Sequence, residues 1–489
     1  MGKRRLAAAL CALLLVTACE AGAAASQTED VVRTADGLVR GTVAGSHKTF
    51  SGIPYAAPPV GDLRWRAPQP VQPWQGVFDA SHPAAACVQP GKPTSSEDCL
   101  YLNVTVPENV TGHLPVMVWV PGGGFIEGAG SDYDPSAMAT QGNVIVVTLN
   151  YRLGALGFLL TGDDPAAGNF GLADQQAALR WVRDNIGAFG GDAGNVTLFG
   201  QSAGAYSVCA QLTSPAAKGL FTKAIIQSGP CGNSFMSVTD ARARAGKVTA
   251  ELGCTDLACL RAKPVSAFTG LDDEQVYSPT GRLQDMPWGP VAQTAVVPEQ
   301  PIAALANGAA KGIPLIQGTT HDELRPFVAA GYPNTVTADQ YVSLVRQVFG
   351  DRADAVLAEY PVDHYSSPGV ALSTVLGDWG QKLGACSVLP ADDAAARSTS
   401  VYAYEFAQDD HKSLAGLPLG AAHSAELSYL FSADGGTLGR AMIGYWTSFA
   451  KTGNPGWPAY QAGGPVLSLS TDKIAEVDFA KDHHCGFWR

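Results

Sequence analysis

The chain has 489 residues, 46% of them hydrophobic and 16% charged, the balance of a folded protein rather than a disordered one. Its net charge of −12 repels phosphate backbones, so nucleic acid is not an expected partner. The nine histidines are scattered without an H-E-x-x-H pair, and no cysteine spacing matches a zinc site, so neither a metal nor another cofactor is expected.

Residues 1–25 have the makeup of an export signal. Lys3, Arg4 and Arg5 form a positive start, and 6–16 is an apolar stretch too short to span a bilayer. Val16-Thr17-Ala18-Cys19 resembles a bacterial lipobox, in which Cys19 becomes a lipidated first residue held at the outer face of the membrane. Ala23-Ala24-Ala25 offers a conventional cleavage site instead. Both readings put the mature protein outside the cytoplasm. Beyond Cys11 and Cys19 stand Cys87, Cys99, Cys209, Cys231, Cys254, Cys259, Cys386 and Cys485, an even set that permits disulfides there.

Residues 31–50 alternate around Asp36-Gly37 and predict a hairpin. Short apolar runs follow at 116–120, 144–149, 195–199, 224–227, 314–317 and 401–406, with a helical pattern over 172–189. Apolar strands alternating with helices predict an α/β class: a central, mostly parallel twisted sheet with helices on both faces, carried by 26–489 as one domain. Ligands of such sheets sit beyond the carboxyl ends of the strands, so residues just after strands are the candidates for chemistry.

Gly200-Gln201-Ser202-Ala203-Gly204 follows one such strand and opens a helix. A serine between two glycines at a strand-to-helix turn is presented out of the sheet as a nucleophile, and this context is that of an α/β-hydrolase. The amide of Ala203 opens the helix and faces any oxyanion formed there. Gly122-Gly123-Gly124-Phe125 follows the 116–120 strand, where bare backbone lets further amides reach the same oxygen.

Ser202 needs a histidine to take its proton and a carboxylate to orient that histidine, in the chain order Ser, acid, His. Glu323 follows the 314–317 strand and His423 the 401–406 strand. Asp322 competes with Glu323, and His321, His364, His411, His483 and His484 compete with His423; composition leaves these choices open.

These residues resemble the type-B carboxylesterase/lipase family, which includes cholinesterases and bacterial para-nitrobenzyl esterases. The likeness extends from about Gly37 to Trp488. It is carried by Phe199 to Gly204, Asn169-Phe170-Gly171-Leu172-Ala173-Asp174-Gln175, Ser96-Glu97-Asp98-Cys99-Leu100-Tyr101-Leu102-Asn103 and Gly61-Asp62-Leu63-Arg64-Trp65. The resemblance implies an α/β-hydrolase fold and a serine carboxylic ester hydrolase acting on small-molecule esters, with no evident protein partner. It implies Ser202, Glu323 and His423 as catalytic residues, from G-T-x-x-D-E at 318–323 and G-A-x-H-x-x-E-L at 420–427. It places the oxyanion donors on Gly123, Gly124 and Ala203, and disulfides at Cys87–Cys99, Cys254–Cys259 and Cys386–Cys485. It leaves Cys209 and Cys231 unassigned, with Cys209 expected as a buried small apolar residue. Two departures weigh against acetylcholine as substrate: Gln201 stands where cholinesterases carry Glu, and 88–98 holds no Trp. The competing functions are a lipase on longer-chain acylglycerols and a non-catalytic surface-binding protein on the same fold.

Overall fold

The computed structural model describes residues 28–108, 110–271, 278–332 and 335–488. The export-signal expectation for 1–25, with Cys19, lies outside them.

Among the described residues, thirteen strands form one sheet. The first hairpin is β1 (Thr28–Arg33) and β2 (Leu38–Ala44), turning at Asp36-Gly37, and β3 (His47–Pro54) continues it antiparallel. A short β4 (Val77–Asp79) lies beside β2. Then follow β5 (Tyr101–Pro107), β6 (Leu114–Val120), β7 (Ile145–Leu149), β8 (Gly191–Gln201), β9 (Lys223–Gln227), β10 (Leu315–Thr320) and β11 (Val401–Phe406). β12 (Ser413–Leu414) and β13 (Leu417–Pro418) make a separate ribbon, and β14 (Val466–Leu469) and β15 (Ile474–Val477) return to the sheet. The spatial order is β1-β2-β3-β5-β7-β6-β8-β9-β10-β11-β14-β15, parallel from β7 to β14 and antiparallel along the rest of that path, with β4 off it and parallel to β2.

Every residue of β7, β9 and β11 is buried, as strands covered on both faces must be. Successive side chains point to opposite faces, and this splits the strands between two cores. Val116, Val118 and Val120 pack on one side with Leu172, Leu179 and Val208, from the helices Phe170–Asn185 and Ala203–Thr213. Met117 and Trp119 pack on the other with Met442, Trp446 and Phe449, from the helix Gly436–Thr452. The edge strand β15, by contrast, alternates exposed and half-buried residues.

The sequence motifs hold the loops together. Arg64 reaches Glu97 at 2.6 Å, so 61–65 and 96–103 are tied by one ion pair. Arg152 meets Asp174 at 2.7 Å with both side chains buried; removing either partner would strand a charge. Disulfides join Cys87 to Cys99, Cys254 to Cys259 and Cys386 to Cys485. A fourth joins Cys209 to Cys231, so Cys209 is not the lone apolar residue expected. The reason is strand order: β9 lies beside β8, which brings the loop after β9 against the helix that follows Ser202. Among the described residues no helix is long and apolar enough to cross a membrane.

Candidate active site

β8 runs to Gln201, the helix begins at Ala203, and Ser202 stands between them at φ 57° and ψ −123°. A non-glycine residue there is strained and needs outside support. Ser202 N–H donates to the Gln227 carbonyl of β9 at 2.9 Å, and Tyr206 N–H donates to the Ser202 carbonyl at 3.0 Å. The flanking glycines are required by contact. A Cβ on Gly204 would fall on the Val120 carbonyl oxygen, and one on Gly200 would lie 2.6 Å from the Gly204 carbonyl carbon. The elbow therefore rests on the bare backbone of β6.

The loop after β6 turns through Gly123 (φ 106°), Gly124 (φ 58°) and Phe125 (φ 62°). The amides of Ile126 and Glu127 close it on the Gly123 carbonyl, each at 3.0 Å. A Cβ on Gly123 would strike the Glu127 backbone. Among the described residues, the N–H groups of Gly123, Gly124 and Ala203 donate to no protein acceptor. All three, the expected oxyanion donors, are residues that line the cavity holding Ser202.

Glu323 lies three residues beyond β10 and is buried. The chain leaves β11, makes the β12–β13 ribbon and returns to place His423 on the same cavity as Ser202. His423 Nδ1 lies 2.5 Å from Glu323 Oε2. The other carboxylate oxygen accepts from Thr319 Oγ1 at 2.6 Å and from the Thr320 amide at 2.8 Å. Burial alone would raise the Glu323 pKa. The charge of His423 and the hydrogen bonds outweigh burial and hold it below the ordinary carboxylate value. With Nδ1–H given to Glu323, Nε2 carries the lone pair.

Gln201 was noted in the sequence only as a departure from cholinesterases. Its Nε2 lies 3.1 Å from His423 Nε2 and 3.5 Å from Nδ1. An in-plane approach to one ring nitrogen would leave the other much farther away, so the carboxamide lies over the ring face. The ring is braced by Gln201, whose Nε2 also donates to Ser424 Oγ at 2.9 Å. Phe327 adds a ring contact with centroids 5.5 Å apart.

The rival residues do other work. Asp322 faces Ala421 and Arg325 rather than His423. His364 and His411 are exposed, and His484 pairs with Glu359 at 2.6 Å. His321, Glu405 and His483 converge from distant parts of the chain, with ligand-capable atoms within 4.8 Å of one another. His483 reaches Asp378 through Nδ1 at 2.7 Å and Glu405 through Nε2 at 2.6 Å. These bonds and the two carboxylate charges push its pKa up to about 10 despite burial. Each ring nitrogen thus faces a carboxylate.

Glu426, the glutamate of the G-A-x-H-x-x-E-L segment, lies close enough to Glu323 and His423 to feel their charges. It is fully buried; Oε1 takes a long bond from Gln227 Nε2 at 3.4 Å, and Oε2 has no partner among the described residues. Burial, then the nearby charge of Glu323, push its pKa up to about 7.

The geometry has counterparts in known proteins. The para-nitrobenzyl esterase of Bacillus subtilis (strain 168) is 37% identical, over 88% of this chain and 93% of that protein. The acetylcholinesterase of Bungarus fasciatus is 36% identical, over 97% of this chain and 88% of the enzyme. A solved structure of a PNB esterase superposes with a TM-score of 0.78 at 35% identity, covering 94% of this chain and all of the other. Residues 28–488 match the carboxylesterase family as a whole. The chain therefore belongs to the carboxylesterase family: it has the α/β-hydrolase fold and is a carboxylic ester hydrolase.

Proposed function

We propose that residues 26–489 form one catalytic domain that cleaves small-molecule carboxylic esters through Ser202, His423 and Glu323. The observation that carries this is the 2.5 Å contact of His423 Nδ1 with Glu323, on a histidine that lines the same cavity as Ser202. His423 removes the Ser202 proton as the hydroxyl oxygen attacks the ester carbonyl carbon. The amides of Gly123, Gly124 and Ala203 hold the resulting oxyanion. The alcohol departs with the proton from His423, leaving an acyl group on Ser202. Water, deprotonated by the same nitrogen, releases the acid and restores the hydroxyl. Glu323 keeps the imidazole oriented and balances its charge throughout.

The cavity measures about 220 Å³. That is below the usual range for drug-sized ligands, which supports short acyl esters over long-chain acylglycerols. The fourfold disulfide set supports an extracellular setting. Cys19 and the residues before it then supply either a lipid anchor or a cleaved signal. Ser202→Ala tests the chemistry. Hydrolysis of para-nitrophenyl acetate and butyrate should disappear, with labelling by a fluorophosphonate probe; near-normal turnover would sink the assignment.

A further inference from the structure

Glu323 and His423 are 100 residues apart on two loops, and the 2.5 Å contact between them must be set by something that ties those loops together. Thr319 and Thr320 fix the acid from its own strand but say nothing of where the histidine sits. The tie lies one residue before the acid and two before the histidine. Asp322 N–H donates to the Ala421 carbonyl at 2.9 Å, and the Ala421 N–H donates back to Asp322 Oδ2 at 2.9 Å. One residue of the acid loop thus grips both polar groups of one residue of the histidine loop, and Asp322 pairs with Ala422 as a parallel bridge.

The carboxylate is itself held. Its Oδ1 takes Arg325 Nη2 at 2.7 Å and His321 Nδ1 at 3.0 Å, so it cannot swing away without breaking charged contacts. The histidine loop is shaped to receive it. Gly420 stands at φ 56°, and a Cβ there would fall on Asp322 Oδ2 and within 2.5 Å of Arg325 Nη1. Only a bare backbone admits the carboxylate at that point.

We propose that Asp322 is a positioning residue: it latches the 420–423 loop to the acid loop, and through this sets the register of His423 against Glu323. This deepens the proposed function and rests on its reading of Ser202, Glu323 and His423. A histidine displaced by a fraction of an ångström loses proton transfer to and from the reacting oxygen while leaving the ester pocket intact.

The test compares Asp322→Ala with Asp322→Asn, whose amide oxygen can still accept from Ala421. Rates on para-nitrophenyl butyrate are divided by the concentration of fluorophosphonate-titrated sites, which removes any unfolded fraction. For Asp322→Ala, kcat should fall about ten- to hundredfold with KM within about threefold. Asp322→Asn should recover to within about fivefold of the parent enzyme. Wild-type kcat per site in the alanine variant overturns the proposal, and so does an asparagine variant no better than alanine. Should the alanine variant not fold, asparagine decides alone: a hundredfold loss per site counts against the latch, and near-parent kcat supports it. Failure of the triad reading would be seen separately, as turnover retained by Ser202→Ala.

Discussion

Replacing Glu426 by Gln should change how stability depends on pH. The carboxyl is fully buried, has one oxygen without a partner among the described residues, and feels the charge of Glu323. Its pKa stands at about 7 in the folded chain against an ordinary 4.5. Between those values the folded state keeps a proton that the unfolded chain has released. Stability of the parent protein therefore falls as pH rises through that window. The full span corresponds to about 3 kcal/mol, an upper figure because relaxation around a buried charge reduces it. Gln does not titrate, so the variant escapes the decline. Urea unfolding of both proteins at intervals from pH 4.5 to 8 gives the stability difference at each pH. The new amide makes its own contacts, but these add a constant offset, and only the slope matters. The variant should gain on the parent by about 2–3 kcal/mol across the window. A flat difference, or one moving the other way, would refute the reasoning that places a costly buried charge beside Glu323.

Two further outcomes follow from contacts of other kinds. Gly204→Ala drives a methyl group into the Val120 carbonyl and should cost about 1–3 kcal/mol in urea unfolding together with most esterase activity. Gly187→Ala, where a Cβ meets nothing within 4 Å, is the control, and equal behaviour of the two would remove the packing argument. His483→Gln leaves Asp378 and Glu405 buried without their shared cation and should cost about 3–5 kcal/mol at pH 7. The folded pKa of His483 is raised from 6.5 to about 10, so its contribution is full below pH 6.5 and lost as pH rises through 10. The gap between variant and parent in unfolding free energy should accordingly narrow as pH rises from 6.5 to 10.

The elbow at Ser202 was legible because strand, turn and helix are encoded locally: Phe199 ends an apolar run, Gly200 and Gly204 bracket the turn, and the helix formers come next. The choice of Glu323 over Asp322 was not legible in composition. Both carboxylates lie on one loop, and what separates them is which way each turns, His423 for one and Ala421 for the other. That is set by a loop about 100 residues away. The Cys209–Cys231 bond was hidden for a similar reason, since it follows from β9 lying beside β8, a matter of sheet order. The His483 cluster gathers Asp378, Glu405 and His321 from four separate elements, and no local pattern announces it.

The cavity wall is made of two unlike materials. On one side stand Gly123, Gly124, Ala203 and Ser202, and at Gly123 a Cβ would strike the Glu127 backbone. On the other, Met286, Phe327 and Leu383 are side chains projecting from the long excursions between β9 and β11. Variation can therefore accumulate on the second side without disturbing the first. Libraries randomised at Met286 and Leu383, with Phe327 kept against the His423 ring, should yield enzymes that differ in the esters they prefer while sharing one chemical step, which makes this half of the pocket the place to retune the protein.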